Sequence, residues 1–214
     1  MTMFKVFPGH YKAVTACDYH PKKAIIATCS DDKTWKLWKF PTGELLEHGE
    51  GHKDWVSDVN FHPDGILMST CSGDSTVKIW DILNMKCVNT IIDHSQPIWK
   101  NKFHESGDFL LTAGMDHTCR LYDMNNFKCR MSYRAHVDSV NSINFYPQSN
   151  LFISGSTDKT MSVWDIRSNF CAQTFYGHLN SINSCKISNT GDFVASADSD
   201  GIVKMWDMRM TKEM

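Results

Sequence analysis

The sequence predicts an all-β chain assembled from five copies of one unit, and three observations carry that prediction. Trp38, Trp80, Tyr122, Trp164 and Trp206 recur every 42 residues. His10, His52, His94, His136 and His178 keep the same step, and so do Asp32, Asp74, Asp116, Asp158 and Asp200, with a hydroxyl four residues before each aspartate at Thr28, Thr70, Thr112, Ser154 and Ser196. No segment is long or periodic enough for a helix. Columns that hold register without one insertion place the repeats at approximately 9–50, 51–92, 93–134, 135–176 and 177–214, and predict that residues 1–214 form a single domain.

One unit, residues 51–92, shows why each element is expected. Trp55 to Phe61 alternates apolar and polar residues and ends at the turn His62 to Gly65. Ile66 to Cys71 is a second strand, closed by the small polar turn Ser72 to Ser75. Thr76 to Trp80 makes a third strand, Leu83 to Met85 a turn, and Cys87 to Ile92 a fourth strand. The product is a four-stranded antiparallel meander with apolar residues on both faces, so each small sheet has to be covered on two sides. Identical sheets covered by their own neighbours stack radially as the blades of a β-propeller, and a unit of this length suits that arrangement.

The G-H openings (Gly9 and His10, Gly51 and His52, Gly177 and His178) and the W-D closings (Trp80 and Asp81, Trp164 and Asp165, Trp206 and Asp207) resemble the WD-repeat family. The likeness covers nearly the whole chain. Asp93 and Ala135 stand where other repeats have the Gly before His, Tyr122 replaces one Trp, and Lys39 replaces the Asp after Trp38. The resemblance implies a hydrogen-bonded chain in every blade, from Asp to His to Ser or Thr to Trp, and the donor and acceptor inventory of these side chains supports it. At Tyr122 a phenol O–H would have to stand in for the indole N–H.

Composition excludes several functions. The 22 basic and 24 acidic residues are interspersed, for a net charge of −2, so no basic stripe marks nucleic acid or an anionic membrane as partner. No apolar run approaches a membrane span and the N-terminus lacks a leader pattern, so a location in the cytoplasm or on an intracellular structure is expected. The eight cysteines follow the repeat and form no C-x-x-C pair, which reads as small reduced core residues. No metal site and no cofactor is expected. His, Ser and Asp invite a catalytic triad, but five copies argue for a lock in each blade, because catalysis needs one site. "GSTDKT" at Gly155 to Thr160 lacks the second Gly of a phosphate-binding loop and is the ordinary turn of the repeat. No enzyme is expected.

Longer stretches narrow the resemblance. "TWKLWKFPTGELLEHGEGHKDWVSDVNFHPDG", "VDSVNSINFYPQSN" and "YGHLNSINSCKISNTGDFVASADSDGIVKMWDMR" are similar to WD-repeat proteins of the central apparatus of the ciliary and flagellar axoneme. That likeness implies a protein-binding scaffold on the cytoskeleton, with central-apparatus or microtubule-associated proteins as partners. It also implies a seven-bladed propeller behind an extended N-terminal region, so five repeats leave open a fragment, a short isoform or an incomplete gene model. Two repeats close as W-D-x-R, at Arg167 and Arg209, similar to the motif by which some family members dock as substrate receptors on cullin-type ubiquitin ligases. Family positions at the channel mouth, carried over residue by residue, place Trp55, Trp99 and Met115 on adjacent repeats as a partner-binding patch. Phe4 to Phe7 resembles a fourth strand able to complete the last blade.

Overall fold

The computed structural model describes residues 5–209 and divides into two compact units, 1–103 and 104–214. In the first unit Val14–Tyr19 (β1), Ile25–Ser30 (β2), Trp35–Lys39 (β3) and Glu44–Gly49 (β4) pair in chain order as one antiparallel sheet. Val56–Phe61 (β5), Leu67–Ser72 (β6), Val77–Asp81 (β7) and Lys86–Ile91 (β8) form the next, and Ile98–Phe103 (β9) opens the third repeat. The second unit continues that repeat with Phe109–Gly114 (β10), Cys119–Asp123 (β11) and Lys128–Tyr133 (β12). Val140–Phe145 (β13), Leu151–Ser156 (β14), Met161–Asp165 (β15) and Cys171–Phe175 (β16) make a four-stranded sheet, and Ile182–Ile187 (β17), Phe193–Asp198 (β18) and Val203–Asp207 (β19) a three-stranded one. The chain is therefore all-β, with five blades of antiparallel strands.

One terminal expectation is corrected. Phe4 lies outside the described residues, while Lys5 to Phe7 carry no strand. Phe7 instead sets its ring edge-on against Trp38 of the first blade, centroids 5.8 Å apart, because that indole offers an apolar surface close by.

Two irregularities recur and position the functional side chains. In the first strand of four blades the register skips one residue, at Thr15, Ser57, Asn141 and Asn183, so these side chains leave their own ladder. A second bulge falls between the third and fourth strands directly before Trp38, Trp80, Tyr122 and Trp164. In the first, second and fourth blades the indole that follows donates to the blade's hydroxyl.

The core lies between successive blades. Ala27, Cys29, Trp35 and Leu37 of the first blade pack against Val56, Val59, Phe61 and Trp80 of the second. In the second unit Leu111, Leu121 and Tyr133 meet Val140, Phe145 and Trp164, and Ile153, Met161 and Val163 meet Ile182, Cys185 and Val194. Inside each unit the facing sides of successive blades thus cover one another, which is why those strands carry apolar residues.

Candidate functional site

Three blades carry the same buried proton-ordered chain. In the first, His10 Nδ1 lies 2.8 Å from Asp32 Oδ2, His10 Nε2 lies 2.9 Å from Thr28 Oγ1, and Trp38 Nε1 donates to Thr28 Oγ1 at 2.8 Å. The second blade joins Asp74, His52, Thr70 and Trp80 at 3.1, 2.8 and 2.8 Å, and the fourth joins Asp158, His136, Ser154 and Trp164 at 2.8, 2.7 and 2.8 Å. The indole can only donate, so the hydroxyl oxygen accepts its proton, while the imidazole bridges that hydroxyl through Nε2 and the carboxylate through Nδ1. Burial alone would raise these carboxyls. The hydrogen bonds from the histidine and from Thr34, Thr76 and Thr160 outweigh it and hold Asp32, Asp74 and Asp158 well below the usual carboxylate range.

This is triad-like geometry without triad chemistry. Thr70 and Ser154 are fully buried, and each hydroxyl oxygen already accepts an indole proton. No substrate carbonyl can reach an oxygen so enclosed, and the arrangement ties the loop before the first strand to the second and third strands.

The fifth blade corrects the sequence reading. His178 Nδ1 pairs with Asp198 Oδ2 at 2.7 Å, not with Asp200, while His178 Nε2 meets Ser196 Oγ at 2.6 Å and Trp206 Nε1 donates to Ser196 at 2.8 Å. Asp200 is exposed and accepts only from Asn180 Nδ2, at 2.8 Å, among the hydrogen bonds seen for its side chain. Two local substitutions explain the exchange. Ile202 stands where Thr34, Thr76 and Thr160 hold the other aspartates, so Asp200 lacks its anchoring hydroxyl. Asp198 stands where Ser30, Ser72 and Ser156 begin the turn, and its Oδ1 accepts the backbone N–H groups of Asp200 and Ile202.

The third repeat has its own variation. Asp116 accepts from Thr118 Oγ1 at 2.7 Å and from Arg120 Nη2 at 3.3 Å, and Tyr122 is fully buried. Thr112 Oγ1 donates weakly to the Arg120 carbonyl at 3.5 Å. His94 is buried in the first unit.

The bulged side chains form a clasp that sequence columns alone did not assign. Thr15 Oγ1 donates to Val56 O at 2.5 Å, Ser57 Oγ to Ile98 O at 2.5 Å, and Asn141 Nδ2 to Ile182 O at 3.0 Å, each reaching the first strand of the next blade. His20 makes a second clasp: its Nδ1 accepts from Lys22 N and Lys23 N, leaving Nε2 to donate to Gly65 O at 3.0 Å. Trp99 occupies the clasp column in the third repeat. Its indole stacks on Trp55, centroids 5.0 Å apart and planes 23° from parallel, and both rings are half-buried. Gly73 makes room, since a Cβ there would stand 2.4 Å from the Trp55 ring. Met115 belongs to the second unit and is exposed there.

The remaining candidates have local explanations. Arg167 closes on Asp165, two residues before it, at 2.6 Å, and Arg209 on Asp207 at 2.7 Å, with both guanidinium groups largely exposed. All eight cysteines are free thiols. Burial pushes Cys185 up to about 11 and Cys29 up to about 12, which makes both poor nucleophiles at neutral pH. Cys17, Cys87 and Cys129 are exposed, not core residues, because the fourth-strand column of Cys87 and Cys129 lies at the blade edge. Among the described residues no group of His, Cys, Asp and Glu could hold a metal ion, and no helix is long and apolar enough to cross a membrane.

Blade, lock and clasp define a repeat protein of the WD type. The chain belongs to the family described as WD domain, G-beta repeat, which matches residues 1–39, 43–81, 85–123, 127–165 and 169–207. Each matched stretch ends on the third strand of a blade. Among individual proteins, the flagellar WD repeat-containing protein Pf20 of Chlamydomonas reinhardtii is 50% identical over 54 residues, 25% of this chain and 9% of Pf20. The lissencephaly-1 homolog of Caenorhabditis briggsae is 44% identical over 46 residues, 22% of this chain and 12% of that protein. These matches span about a tenth of each relative's length.

Proposed function

We propose that this chain is a non-catalytic protein-binding scaffold of the ciliary or flagellar axoneme, serving its central apparatus and similar to sperm-associated antigen 16. Its partners are axonemal proteins, bound through Trp55, Trp99 and Met115. The observation that carries the reading is the stacked Trp55–Trp99 pair, two partly buried indoles, one of them in the column that elsewhere holds Thr15, Ser57, Asn141 and Asn183. Tryptophan is enriched where binding energy concentrates, and the likeness of a quarter of the chain to a flagellar WD repeat-containing protein supports the axonemal setting. Burial of the hydroxyls of Thr70, Thr112, Ser154 and Ser196 supports a structural and not a catalytic role for them.

Affinity capture from ciliated cells tests the proposal. Recovery of central-apparatus proteins by the wild-type chain, reduced by Trp99→Ala, is the expected result. Recovery instead of a cullin adaptor, lost on Arg167→Ala and Arg209→Ala, would replace it with a ubiquitin-ligase role. The present geometry gives that role less support, because each arginine is already held by its own aspartate.

A further inference from the structure

Trp55 lies flat on the turn between β6 and β7. A Cβ at Gly73 would stand 2.4 Å from Cε2 of the ring and 2.7 and 2.8 Å from Nε1 and Cζ2, the atoms bonded to it, so the glycine backbone sits over the face of the indole and not at its edge. The turn itself does not ask for glycine. Asp31, Met115, Thr157 and Ser199 hold the same position in the other repeats, and the Gly73 backbone is not left-handed. What the missing side chain supplies is room for Trp55 to stack on Trp99. Trp99 in turn stands where the other repeats have a hydroxyl or an amide. Two separate departures from the repeat thus converge on one indole pair.

A carboxylate is the second feature. Asp31 is the only charged residue that the first unit has in the columns of Trp55, Trp99 and Gly73. Its side chain is partly buried, and among the described residues no hydrogen bond reaches its carboxylate. Trp55 and Asp31 stand to each other as Ser181 and Thr157 do three repeats on, whose hydroxyls meet at 3.2 Å. The same offset sets the Asp31 carboxylate beside Trp55. Lys33, two residues on, is engaged elsewhere, its Nζ donating to Lys53 O at 2.8 Å. In the second unit the same columns hold no charge, and their polar groups bond one another: Ser139 with Asn141 at 3.0 Å, Asn141 with Thr157 at 2.9 Å, and Ser199 with Asn183 at 3.2 Å.

We propose that Asp31, Trp55 and Trp99 receive a cationic side chain of the partner, arginine above lysine, with Gly73 the positioning residue that keeps Trp55 in the stack. This rests on the reading of the tryptophan pair as a binding surface. An indole attracts a cation through the negative face of its ring, and tryptophan does so most strongly. A guanidinium is planar and weakly hydrated, so it can lie on an indole while its N–H groups donate to a carboxylate alongside.

The probes are blocked tripeptides, acetyl-Gly-X-Gly-amide with arginine, lysine, leucine or glutamate as X, titrated into the 214-residue chain. The indole N–H signals of Trp55 and Trp99 in two-dimensional NMR read the binding. The arginine peptide is expected to bind about tenfold tighter than the leucine and glutamate peptides. Asp31→Asn should weaken it about threefold and leave the exciton circular dichroism of the stacked indoles as in wild type. Gly73→Ala should lose that exciton signal and the arginine preference together, with the amide spectrum of the fourth and fifth blades unchanged. Trp99→Leu, which keeps an apolar side chain in place, should lose the preference as well. Equal responses to all four peptides overturn the inference, as does an arginine preference that survives both Asp31→Asn and Trp99→Leu. Co-sedimentation with axonemes separates the two readings. Binding lost on Trp99→Ala without any peptide preference keeps the scaffold and removes the cation site. An arginine preference with axoneme binding indifferent to Trp99→Ala keeps the cation site and removes the axonemal role.

Discussion

Replacing Asp198 with Ala removes the carboxylate that holds the fifth blade's lock, and the structure sets the size of the effect. His178 Nδ1 is buried and would lose its 2.7 Å acceptor, while Asp200 N and Ile202 N would lose theirs at 3.0 Å. Stranding one buried donor costs about 1 to 3 kcal/mol. The two backbone groups lie in an exposed turn and can turn to water, so they add little. The expected loss is about 2 to 3 kcal/mol. Asp200→Ala removes one exposed hydrogen bond to Asn180 and should stay within about 0.5 kcal/mol of wild type. Asp198→Asn retains an acceptor and should fall between the two. Urea unfolding followed by tryptophan fluorescence gives the free energies, and hydrogen exchange of the β17–β19 amides shows whether the loss is local. An Asp200 variant as costly as the Asp198 variant would refute the assignment.

Other perturbations follow from the same geometry. Trp164→Ala removes a buried indole and its bond to Ser154, and should cost about 3 to 5 kcal/mol, readable as a fall in Tm. Wild-type stability would remove Trp164 from the lock. Asp32, Asp74 and Asp158 have folded-state pKa values held below the unfolded value, so their contribution is complete above about pH 4 and is lost as pH falls below it. Chemical denaturation at successive pH values should therefore show stability dropping below about pH 4, and Asp74→Asn should flatten that drop; a profile unchanged by Asp74→Asn would contradict the hydrogen-bond account.

Much of this was legible in the sequence because one blade's side-chain bonds recur at one spacing. His52, Thr70, Asp74 and Trp80 can be read as a set before any coordinates, since a repeat with a constant step keeps every partner at a constant offset. The fifth blade escaped that logic through paired changes. Ile202 removed the hydroxyl that anchors the usual aspartate, and Asp198 supplied another carboxylate two residues earlier, so the column residue Asp200 stayed while its role moved. The clasp of Thr15, Ser57 and Asn141 was hidden for a different reason. Those residues were legible as one column, but a bulge is a property of strand pairing, and only pairing shows that they leave their own ladder for the next blade. Trp55 and Trp99 were picked out as surface aromatics, whereas their stacking depends on the space over Gly73.

The central claim is that the Trp55–Trp99 surface binds an axonemal partner, and co-sedimentation with salt-extracted axonemes tests it most directly. Binding of the purified chain is measured for wild type, Trp55→Ala, Trp99→Ala and, as a control, Leu83→Ala, an exposed apolar residue away from the pair. The account predicts that each tryptophan variant weakens binding by about 30-fold or more, equivalent to about 2 kcal/mol, with Tm and the Leu83 control close to wild type. Equal binding by all four proteins at unchanged Tm would contradict it.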